Sequence, residues 1–580
     1  MVQQQQPTNT LRVSVDGQPL PAAVERQLTA VVVDDSRRLP DLFSLTFRDP
    51  DRSVLADAGL AIGAAVTVAV VSEATPGGEP LITGEVTALE AEADATGTHT
   101  VVRGYDKSHR LFRGRVTETY TNVTFADVAR KVASRAGLQA GRIDATATVH
   151  PHVSQGNVSD WQFLQGLADE VGYEVAVLDG KLEFRAPAPS AAAPAEGTLT
   201  SEDPLQLTLG TNLLGFRCVV TSAEQVKDVT VRGWDVATKR ALVGTAKAET
   251  SSAAITVAPA DLASKFGGPT IAGVDVPYRT QAEVDAAAKA MAEQVAGAFA
   301  ELEGVARGNP RLRAGTAVSL GLAGEPFDGK YTLSSTRHVY QPDTGYTTAF
   351  TVCGRQERSL LGLTAGLAGG NGGGHGAAAP LPGVTTAQVT DVSDPDGLGR
   401  VKVTFPWLSD TYVSDWARTV QPGAGPQRGA VVLPEVNDEV LVGFEQGDLR
   451  RPYVLGGLWN GVDKPKLGDG LVDGSTGAVK RRGFVSKKGG CLVFFDEDSD
   501  EGVAVLTGDK SLRISLNKTK TTIRVSSSGK VEIEGGQDVR IKAGTNLKLE
   551  AGASLELKGA KVSITGDGPV EVKGTPIQLN

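Results

Sequence analysis

The sequence has few cysteines, methionines and aromatic residues. Its 580 residues include three cysteines, Cys218, Cys353 and Cys491, and two methionines, and aromatic side chains make up only 5%. Three cysteines so far apart argue against a disulfide scaffold or a zinc ribbon, so we expect them to be half-buried small apolar residues. Glycine is abundant instead, with 69 residues. This composition indicates many short strands joined by turns.

Long apolar runs and targeting signals are also missing. No run approaches the roughly 18 apolar residues that cross a bilayer. The opening MVQQQQPTNT lacks the basic and apolar regions of a signal peptide. We therefore expect a protein that is made in the cytoplasm and has no stable membrane anchor. Its net charge of −10 disfavours nucleic-acid binding, and no P-loop motif indicates a motor.

The acidic and histidine-containing motifs do not fit catalytic or metal-binding patterns. Neither Asp394–Gly397 nor Asp496–Asp500 fits a calcium-binding EF-hand loop, because Val392 and Val403 stand at required acidic positions of the first and Glu501 and Thr507 replace the required Gly and Glu of the second. We therefore expect tight turns there. His150 and His152 form the only close histidine pair. With no third ligand in view we expect them to lie in an exposed loop. The sequence predicts no catalytic, cofactor-binding or metal-binding residue, and no cofactor.

Glycine- and proline-rich segments divide the chain. The segment 366–380 has the composition of a flexible linker, and 461–483 contains a second Pro- and Gly-rich stretch. The predicted domains between these segments are an α+β region at 1–365, a small β domain at 381–460 and a repetitive region at 484–580.

The α+β region contains recognisable strands and helices. Alternating apolar residues predict strands at Leu11–Val15, Phe43–Phe47 and Val66–Val70. Helices are predicted to begin after Thr124 and after Ser159, where Gln162 completes a capping-box spacing, and a third, Ala-rich helix is predicted over Gln281–Glu303.

The small β domain shows several strands at short spacing. They are predicted at Val401–Phe405, Trp416–Val420, Gly429–Leu433 and Glu439–Phe444. Four strands in about 80 residues, with Gly, Pro and Asp between them, indicate a small closed barrel.

The strongest pattern is a repeat in the last part of the chain. Eight apolar–polar–apolar units, which we call octads, recur every seven or eight residues from Ile523 to Leu579, most with a glycine at or just after the end. Strands this short cannot enclose a core, so their apolar pairs need a partner surface. Three intertwined chains would supply it, with glycine allowing positive φ at the corners. A single-chain β-solenoid is the alternative, although its repeats are usually about 20 residues long.

The predicted core of this intertwined trimer consists of the apolar residues of six consecutive octads. They are Val531, Ile533, Val539, Ile541, Leu547, Leu549, Leu555, Leu557, Val562, Ile564, Val570 and Val572.

These segments resemble the VgrG-like spike proteins of contractile injection systems, which are related to the hub and spike of contractile phage tails. The octads resemble the phage-spike β-helix, and the segments 391–407, 434–445 and 452–460 resemble the OB-fold of baseplate spikes. The segment 104–111 with the two capped helices resembles a tail-hub domain, and 494–502 resembles the hairpin that begins the spike. The likeness covers nearly the whole chain in the family's order.

The resemblance implies a mainly β fold with an α+β hub: tail-hub domains, a small OB-fold barrel and a C-terminal intertwined trimeric β-helix, or β-prism. It implies a non-enzymatic homotrimer that caps the inner tube and pierces the target envelope by transient membrane puncture. The implied partners are inner tube and baseplate proteins, effector cargo and a PAAR-type tip protein. The expected tip contacts are Pro576, Ile577, Leu579 and Asn580.

Alternatives stay open at this point. One is a spike with cell-wall hydrolase activity, which the short 461–483 segment disfavours because it leaves no room for an enzyme domain. Another is a trimeric receptor-binding fibre, which would need a globular head after the rod. The implied location is an injection particle assembled in the bacterial cytoplasm. The sequence does not decide between a released extracellular particle and a type VI system, and it does not reveal the target cell, the cargo or a metal at the tip.

Overall fold

The computed structural model describes residues 9–72, 75–95, 97–274, 276–354, 383–467 and 470–578. The chain divides into two compact units, residues 1–460 and 461–580. The predicted linker 366–380 lies outside the described residues, and the domain boundaries proposed within each unit remain predictions.

The first part of unit 1 consists mostly of strands. The strands described up to residue 185 are β1 (Thr10–Val15), β2 (Gln18–Pro19), β3 (Leu28–Ser36), β4 (Leu42–Arg48), β5 (Ala65–Val71), β6 (Glu79–Asp94), β7 (Gly97–Asp106), β8 (Val116–Val123), β9 (Gln139–Ile143), β10 (His150–Val158), β11 (Glu174–Leu178) and β12 (Lys181–Arg185). The α-helices described there are α1 (Ala22–Glu25), α2 (Val54–Asp57), α3 (Phe125–Arg135) and α4 (Asp160–Val171). The three predicted strands are confirmed by β1, β4 and β5.

The next part of unit 1, residues 206–352, adds further strands and two helices, and we call residues 10–352 the hub. The strands are β13 (Gln206–Thr208), β14 (Leu213–Val220), β15 (Asp228–Asp235), β16 (Arg240–Lys247), β17 (Ala253–Ile255), β18 (Thr270–Gly273), β19 (Ala300–Arg307), β20 (Ala317–Gly321), β21 (Gly329–Thr332), β22 (Ser335–Gln341) and β23 (Gly345–Val352). The helices are α5 (Pro259–Ser264) and α6 (Gln281–Ala296).

One large sheet joins the two parts of the hub. Its strand order is β14-β19-β23-β22-β3-β4-β7-β6-β5-β1-β2. The two parts meet where β22 pairs antiparallel with β3, with Tyr340 opposite Val31. The buried residues Phe43, Leu45 and Phe47 of β4 alternate with exposed or half-buried ones, as a strand covered on one face requires.

The capped helices form as predicted. The Thr124 hydroxyl accepts a hydrogen bond from the Asp127 backbone N–H at the start of α3, and Ser159 does the same for Gln162 at the start of α4. Helix α4 ends at Gly172, whose φ of 73° lies in the left-handed region that glycine adopts freely. Both helices bury their apolar faces in one cluster that includes Phe125 and Leu164.

The third helix is shorter than predicted. Helix α6 ends at Ala296, and residues 300–307 form strand β19 instead of continuing to Glu303. From Ala300 onward burial alternates with period two, because β19 pairs with β14 on one side and β23 on the other. High helix propensity is a weak signal when two neighbouring strands can satisfy the backbone.

Residues 384–457 fold into the barrel. Its strands are β24 (Val384–Asp391), β25 (Lys402–Thr404), β26 (Arg418–Thr419), β27 (Ala424–Gly425), β28 (Arg428–Gly429), β29 (Glu439–Phe444) and β30 (Pro452–Gly457). The sheet order is β25-β24-β29-β30-β26, and two backbone hydrogen bonds between Val401 and Ala417 close it next to β25. Val389, Val403, Phe405 and Val440 fill its interior.

The predicted strand at Gly429–Leu433 is wrong. Strand pairing there ends at Gly429, and Val431 is 83% exposed. Its valines and leucine read as a strand in the sequence. After the Ala430 N–H, which donates to the Gly423 carbonyl, the backbone of Val432 bonds to the Gln421 side chain instead of to a strand.

Unit 2 begins as an antiparallel meander. Its strands are β31 (Arg481–Val485), β32 (Cys491–Glu497), β33 (Asp500–Leu506), β34 (Leu512–Asn517) and β35 (Thr522–Ser527), paired in that order. The β32–β33 hairpin coincides with the hairpin identified at 494–502. The first octad, at Ile523–Val525, lies within β35.

Candidate functional site

The meander of unit 2 exposes a continuous apolar face. Directly paired residues of antiparallel strands point to the same face, and two cross-strand rows of such pairs are apolar. One row runs through Phe484, Leu492, Val505, Ile514 and Val525, and the other through Phe494, Val503, Leu516 and Ile523. Phe484 is 63% exposed and Ile523 is 74% exposed. A contiguous apolar face of this kind marks an interaction surface.

The octads extend this face along the chain. The twelve predicted core residues from Val531 to Val572 are all exposed in the single chain, between 53% and 74%. They continue the spacing of Ile523 and Val525 in β35. Apolar residues at every second position place their side chains on one face of an extended chain.

The octads have no backbone partner within their own chain. Between residues 530 and 578, all of which the structure describes, there is no β-strand, and the backbone bends at regular intervals. The bends lie at 536–537, 544–545, 552–553, 560, 567–568 and 575–576. Their spacing of seven to eight residues follows the octad repeat. Unpaired backbone groups in such a row are ready to pair with another chain.

The octad glycines do not have the predicted backbone conformation. The glycines with positive φ in the described chain end at Gly489, so those of the octads turn without entering the left-handed region. Gly535 is required for space instead, because a Cβ there would lie 2.6 Å from the Asp538 carbonyl oxygen. At Gly544 an added Cβ would meet nothing within 4 Å.

The expected tip contacts lie at the end of the octads. Pro576 and Ile577 are exposed, with Ile577 at 48%. Leu579 and Asn580 lie outside the described residues. The tip assignment therefore stays a prediction.

The sequence analysis missed the apolar rows of the meander. Leu492, Val505 and Ile514 were not among the predicted core residues, although each sits in an apolar–x–apolar spacing: Leu492 with Phe494, Val503 with Val505, and Ile514 with Leu516. The irregular spacing between these strands hid their relation to the octads, since hairpin pairing, not sequence period, places them on one face.

A buried charge network joins the hub to the barrel within unit 1. The Arg450 guanidinium lies 3.1 Å from Glu170 of α4 and 3.0 Å from Asp448. Burial raises the pKa of the Glu170 carboxyl, and Arg450 opposes this rise. Burial disfavours the charge of Arg450, but the two carboxylates raise the pKa of the guanidinium above its ordinary value. The network fixes the barrel against α4, because moving the barrel away would leave Arg450 and Glu170 as buried charges without a partner across the junction.

The histidine pair belongs to this junction, so the exposed-loop prediction is wrong. His150 and His152 lie on strand β10. The His150 ring stacks on Phe125 with 4.2 Å between ring centroids, and its Nδ1 lies 3.7 Å from the Glu283 carboxylate. Burial lowers the pKa of His150 to about 4, although Glu283 acts in the opposite direction.

Strand β10 also contacts the barrel directly. His152 Nε2 lies 3.1 Å from the Val413 carbonyl oxygen, and the Ser154 hydroxyl lies 3.0 Å from the Tyr412 hydroxyl. Burial lowers the pKa of His152 as well. The exposed loop was expected because the sequence offered no third metal ligand. The partner of His152 lies in a barrel loop 261 residues further along the chain.

The acidic motif at Asp394 forms the expected turn. The Asp394 carboxylate accepts hydrogen bonds from the backbone N–H groups of Asp396, Leu398 and Arg400 and from the Arg400 side chain. The Arg400 side chain lowers the pKa of Asp394 well below its usual value. The residues that suggested a calcium loop are thus satisfied by the protein's own donors.

The described part of the chain contains neither a metal-binding cluster nor a membrane-spanning helix. No group of three or more His, Cys, Asp or Glu side chains there could hold a metal ion. Every helix there is too short or too polar to span a membrane.

Comparisons with known proteins agree with this architecture. The family model of the type VI secretion system/phage-baseplate injector OB domain matches residues 385–459, which form the barrel. A model described as the Alg8 N-terminal domain matches residues 8–341, more than half of the chain. A chain of the Francisella PdpA–VgrG complex, half-lidded, has the same fold, with a TM-score of 0.53, 9% identity, and coverage of 90% of this chain and 88% of that one.

Curated relatives are type VI secretion system spike proteins. VgrG2a of Pseudomonas aeruginosa is 32% identical over 97 residues, which cover 15% of this chain and 12% of the relative. VgrG1c of the same organism is 28% identical over 165 residues, covering 24% of this chain and 23% of the relative. The chain thus matches between about an eighth and a quarter of these relatives' length.

The large sheet of the hub, the injector OB barrel and the matching relatives describe a mainly β chain that is similar to the VgrG spike proteins of the phage-baseplate class. Through residues 8–341 it belongs to the family of the Alg8 N-terminal domain.

Proposed function

We propose that this protein is the homotrimeric central spike and hub of a contractile injection system. In this role it caps the inner tube and pierces the target envelope when the sheath contracts. The observation that supports the proposal is the run of octads: each presents two exposed apolar residues, and the backbone between residues 530 and 578 has no partner in its own chain.

Three copies would cover the exposed apolar residues and pair the free backbone groups at the same time. Each chain would supply one wall of a rod, with the apolar pairs in a shared dry centre and the backbone groups paired between chains. The apolar rows of the meander would continue this core at the start of the rod. Closing every strand edge makes the rod stiff, so it transmits the force of contraction without unfolding.

The partners follow from this role. The hub would contact the inner tube and the baseplate, a PAAR-type protein would cap the end at Pro576 and Ile577, and effectors would travel with the spike. The VgrG of the Francisella complex is bound to another protein, PdpA, which supports a spike that assembles with further components. We also propose that the spike assembles in the bacterial cytoplasm and that it contacts membranes only during puncture.

A matched pair of variants tests the trimer core. Leu549→Asp would place three carboxylates around the threefold axis, and burying unpaired charges is strongly unfavourable, so we expect loss of the trimer. Ser554→Asp adds the same charge at an outward position of the next octad, so this control should stay trimeric. Absolute mass by light scattering gives the result. A trimeric Leu549→Asp variant with unchanged thermal unfolding would overturn the core assignment.

The proposed role is mechanical, not enzymatic. Purified protein should release no soluble fragments from peptidoglycan, assayed beside a lysozyme positive control. Robust turnover would favour a spike with hydrolase activity instead.

A further inference from the structure

The outward side chains of the octads carry a regular pattern of charge. Four residues that directly follow the second apolar position of successive octads are Glu534, Lys542, Glu550 and Lys558. They lie eight residues apart, alternate in sign and are exposed. We call these four residues the charge column. They alternate with the predicted core residues, so they point to the opposite face of the extended chain.

Contacts within the chain show that the outward charges share one face. Lys530 contacts Glu532, and Lys573 contacts Glu571. Lys548 Nζ lies 2.6 Å from Glu550, with 81% and 75% of the two side chains exposed. Each pair is two residues apart, as expected for neighbours on one face of an extended segment.

Symmetry determines which octads of a trimer lie side by side, and this step rests on the proposed function. Threefold symmetry places the same octad of the three chains on three different faces of the rod. A chain that passes to the next face after each octad therefore lays its next octad beside the preceding octad of its neighbour. Equivalent positions of successive octads thus meet across chains, about 4.8 Å apart as in any β-sheet.

In this register the outward charges are complementary. Seven of the eight charged pairs that meet are opposite in sign, and Arg540 with Lys548 is the like-charged exception. The seven pairs are Arg524–Glu532, Glu532–Arg540, Lys548–Glu556, Lys530–Asp538, Glu534–Lys542, Lys542–Glu550 and Glu550–Lys558.

A shift of one chain by one octad destroys this match. Each octad of the shifted chain would then meet its own copy in one neighbour, where every charged pair is alike, and an octad two positions away in the other neighbour. In the second arrangement five of the seven charged pairs are alike, including Glu534 with Glu550 and Lys542 with Lys558. Apolar residues alone would not resist the shift, because every octad presents the same kind of apolar pair to the core.

We propose that the charge column sets the axial register of the three chains, by pairing with the columns of two further copies of this protein. The apolar pairs hold the rod together, and the column selects one register among several that bury equal apolar surface. Opposite charges directly across neighbouring strands stabilise that pairing, and like charges destabilise the alternatives.

Cysteine cross-linking of the full chain reads the register directly. In the proposed register, residue 546 of one chain lies beside residue 554 of the next, within the Cα separation that a disulfide spans. The Asn546→Cys/Ser554→Cys double variant should therefore oxidise to an interchain disulfide, while each single variant should not. The parent chain, with its three native cysteines, is the control. Cross-links in the single variants, or none in a trimeric double variant, would overturn the proposed register.

Charge reversal tests the cause of the register. Lys542→Glu with Lys558→Glu makes the column wholly acidic. We expect this variant to have an unfolding temperature several degrees lower at low salt and to form cross-links that report a shifted register. The difference should shrink near 1 M salt, where the Debye length is about 3 Å. Reversing all four column residues restores alternation and should restore both readouts. Lys464→Glu with Lys466→Glu makes the same charge change outside the rod and should have little effect.

The outcomes separate this inference from the proposed function. A wild-type trimer whose acidic-column variant keeps the same cross-links and low-salt unfolding would overturn the charge column alone. A wild-type monomer would overturn the trimer, and the charge column with it.

Discussion

At the scale of single residues, the junction between hub and barrel depends on a few buried charges. Arg450 has a side chain only 16% exposed, and its partner Glu170 is 7% exposed. Burying such a pair stabilises little by itself, but removing one partner leaves an uncompensated charge. The junction therefore specifies where the barrel sits more than it adds stability.

Arg450→Ala should lower the free energy of unfolding of unit 1 by about 3–5 kcal/mol, because Glu170 and Asp448 lose their cation. Arg217→Ala removes an exposed arginine 4.0 Å from Glu303 and should change stability little. Denaturant unfolding followed by tryptophan fluorescence measures both. Equal effects of the two variants would contradict a buried network.

His150 predicts a pH dependence at the same junction. Its pKa is lowered from 6.5 to about 4, so between these values the unfolded chain binds a proton that the folded chain does not. Stability contributed by neutral His150 is therefore present above pH 6.5 and lost as the pH falls towards about 4. His150→Gln should remove about 2–3 kcal/mol of that change. An unchanged pH slope of unfolding in the variant would contradict the burial of the imidazole.

The residue scale also shows where sequence reasoning succeeds. Thr124 and Ser159 were identifiable as helix caps because the capping interaction spans three residues. Asp394 was identifiable as a turn residue for the same reason. The contact of His150 with Glu283 and the pairing of Glu170 with Arg450 could not be found this way, since the two residues of each pair are more than a hundred positions apart.

At the scale of elements, the glycines at the octad bends differ in whether a Cβ would fit. A Cβ at Gly535 would lie 2.6 Å from a backbone oxygen, whereas at Gly544 it would be free of contacts. Gly535→Ala should therefore lower the thermal unfolding temperature of the rod, and Gly544→Ala should leave it nearly unchanged. Calorimetry of the full chain compares them. The reverse order would show that the corners are remodelled on assembly.

Elements with a strong local period were predictable, and elements decided by neighbours were not. Strands β1, β4 and β5 alternate clearly and formed as expected. Residues 300–303 have helical composition but join a sheet between β14 and β23, and residues 430–433 have strand composition but form no strand. Tertiary pairing overrides propensity in both cases.

At the scale of the whole molecule, the two units differ in how far they bury their apolar residues. The hub and barrel bury their apolar residues in clusters within unit 1. Unit 2 leaves its apolar rows and octads exposed. The exposed apolar residues of unit 2 are those that the proposed trimer would cover, and the repeat that carries them was visible in the sequence. The copies that would cover it lie outside a single chain.

Whether this protein is a trimer can be decided by its absolute mass in solution. The chain has a mass of 60.2 kDa, and we expect a single species of three times that value by light scattering or native mass spectrometry. A stable monomer at micromolar concentration would contradict it, and the octads would then have to form a single-chain solenoid.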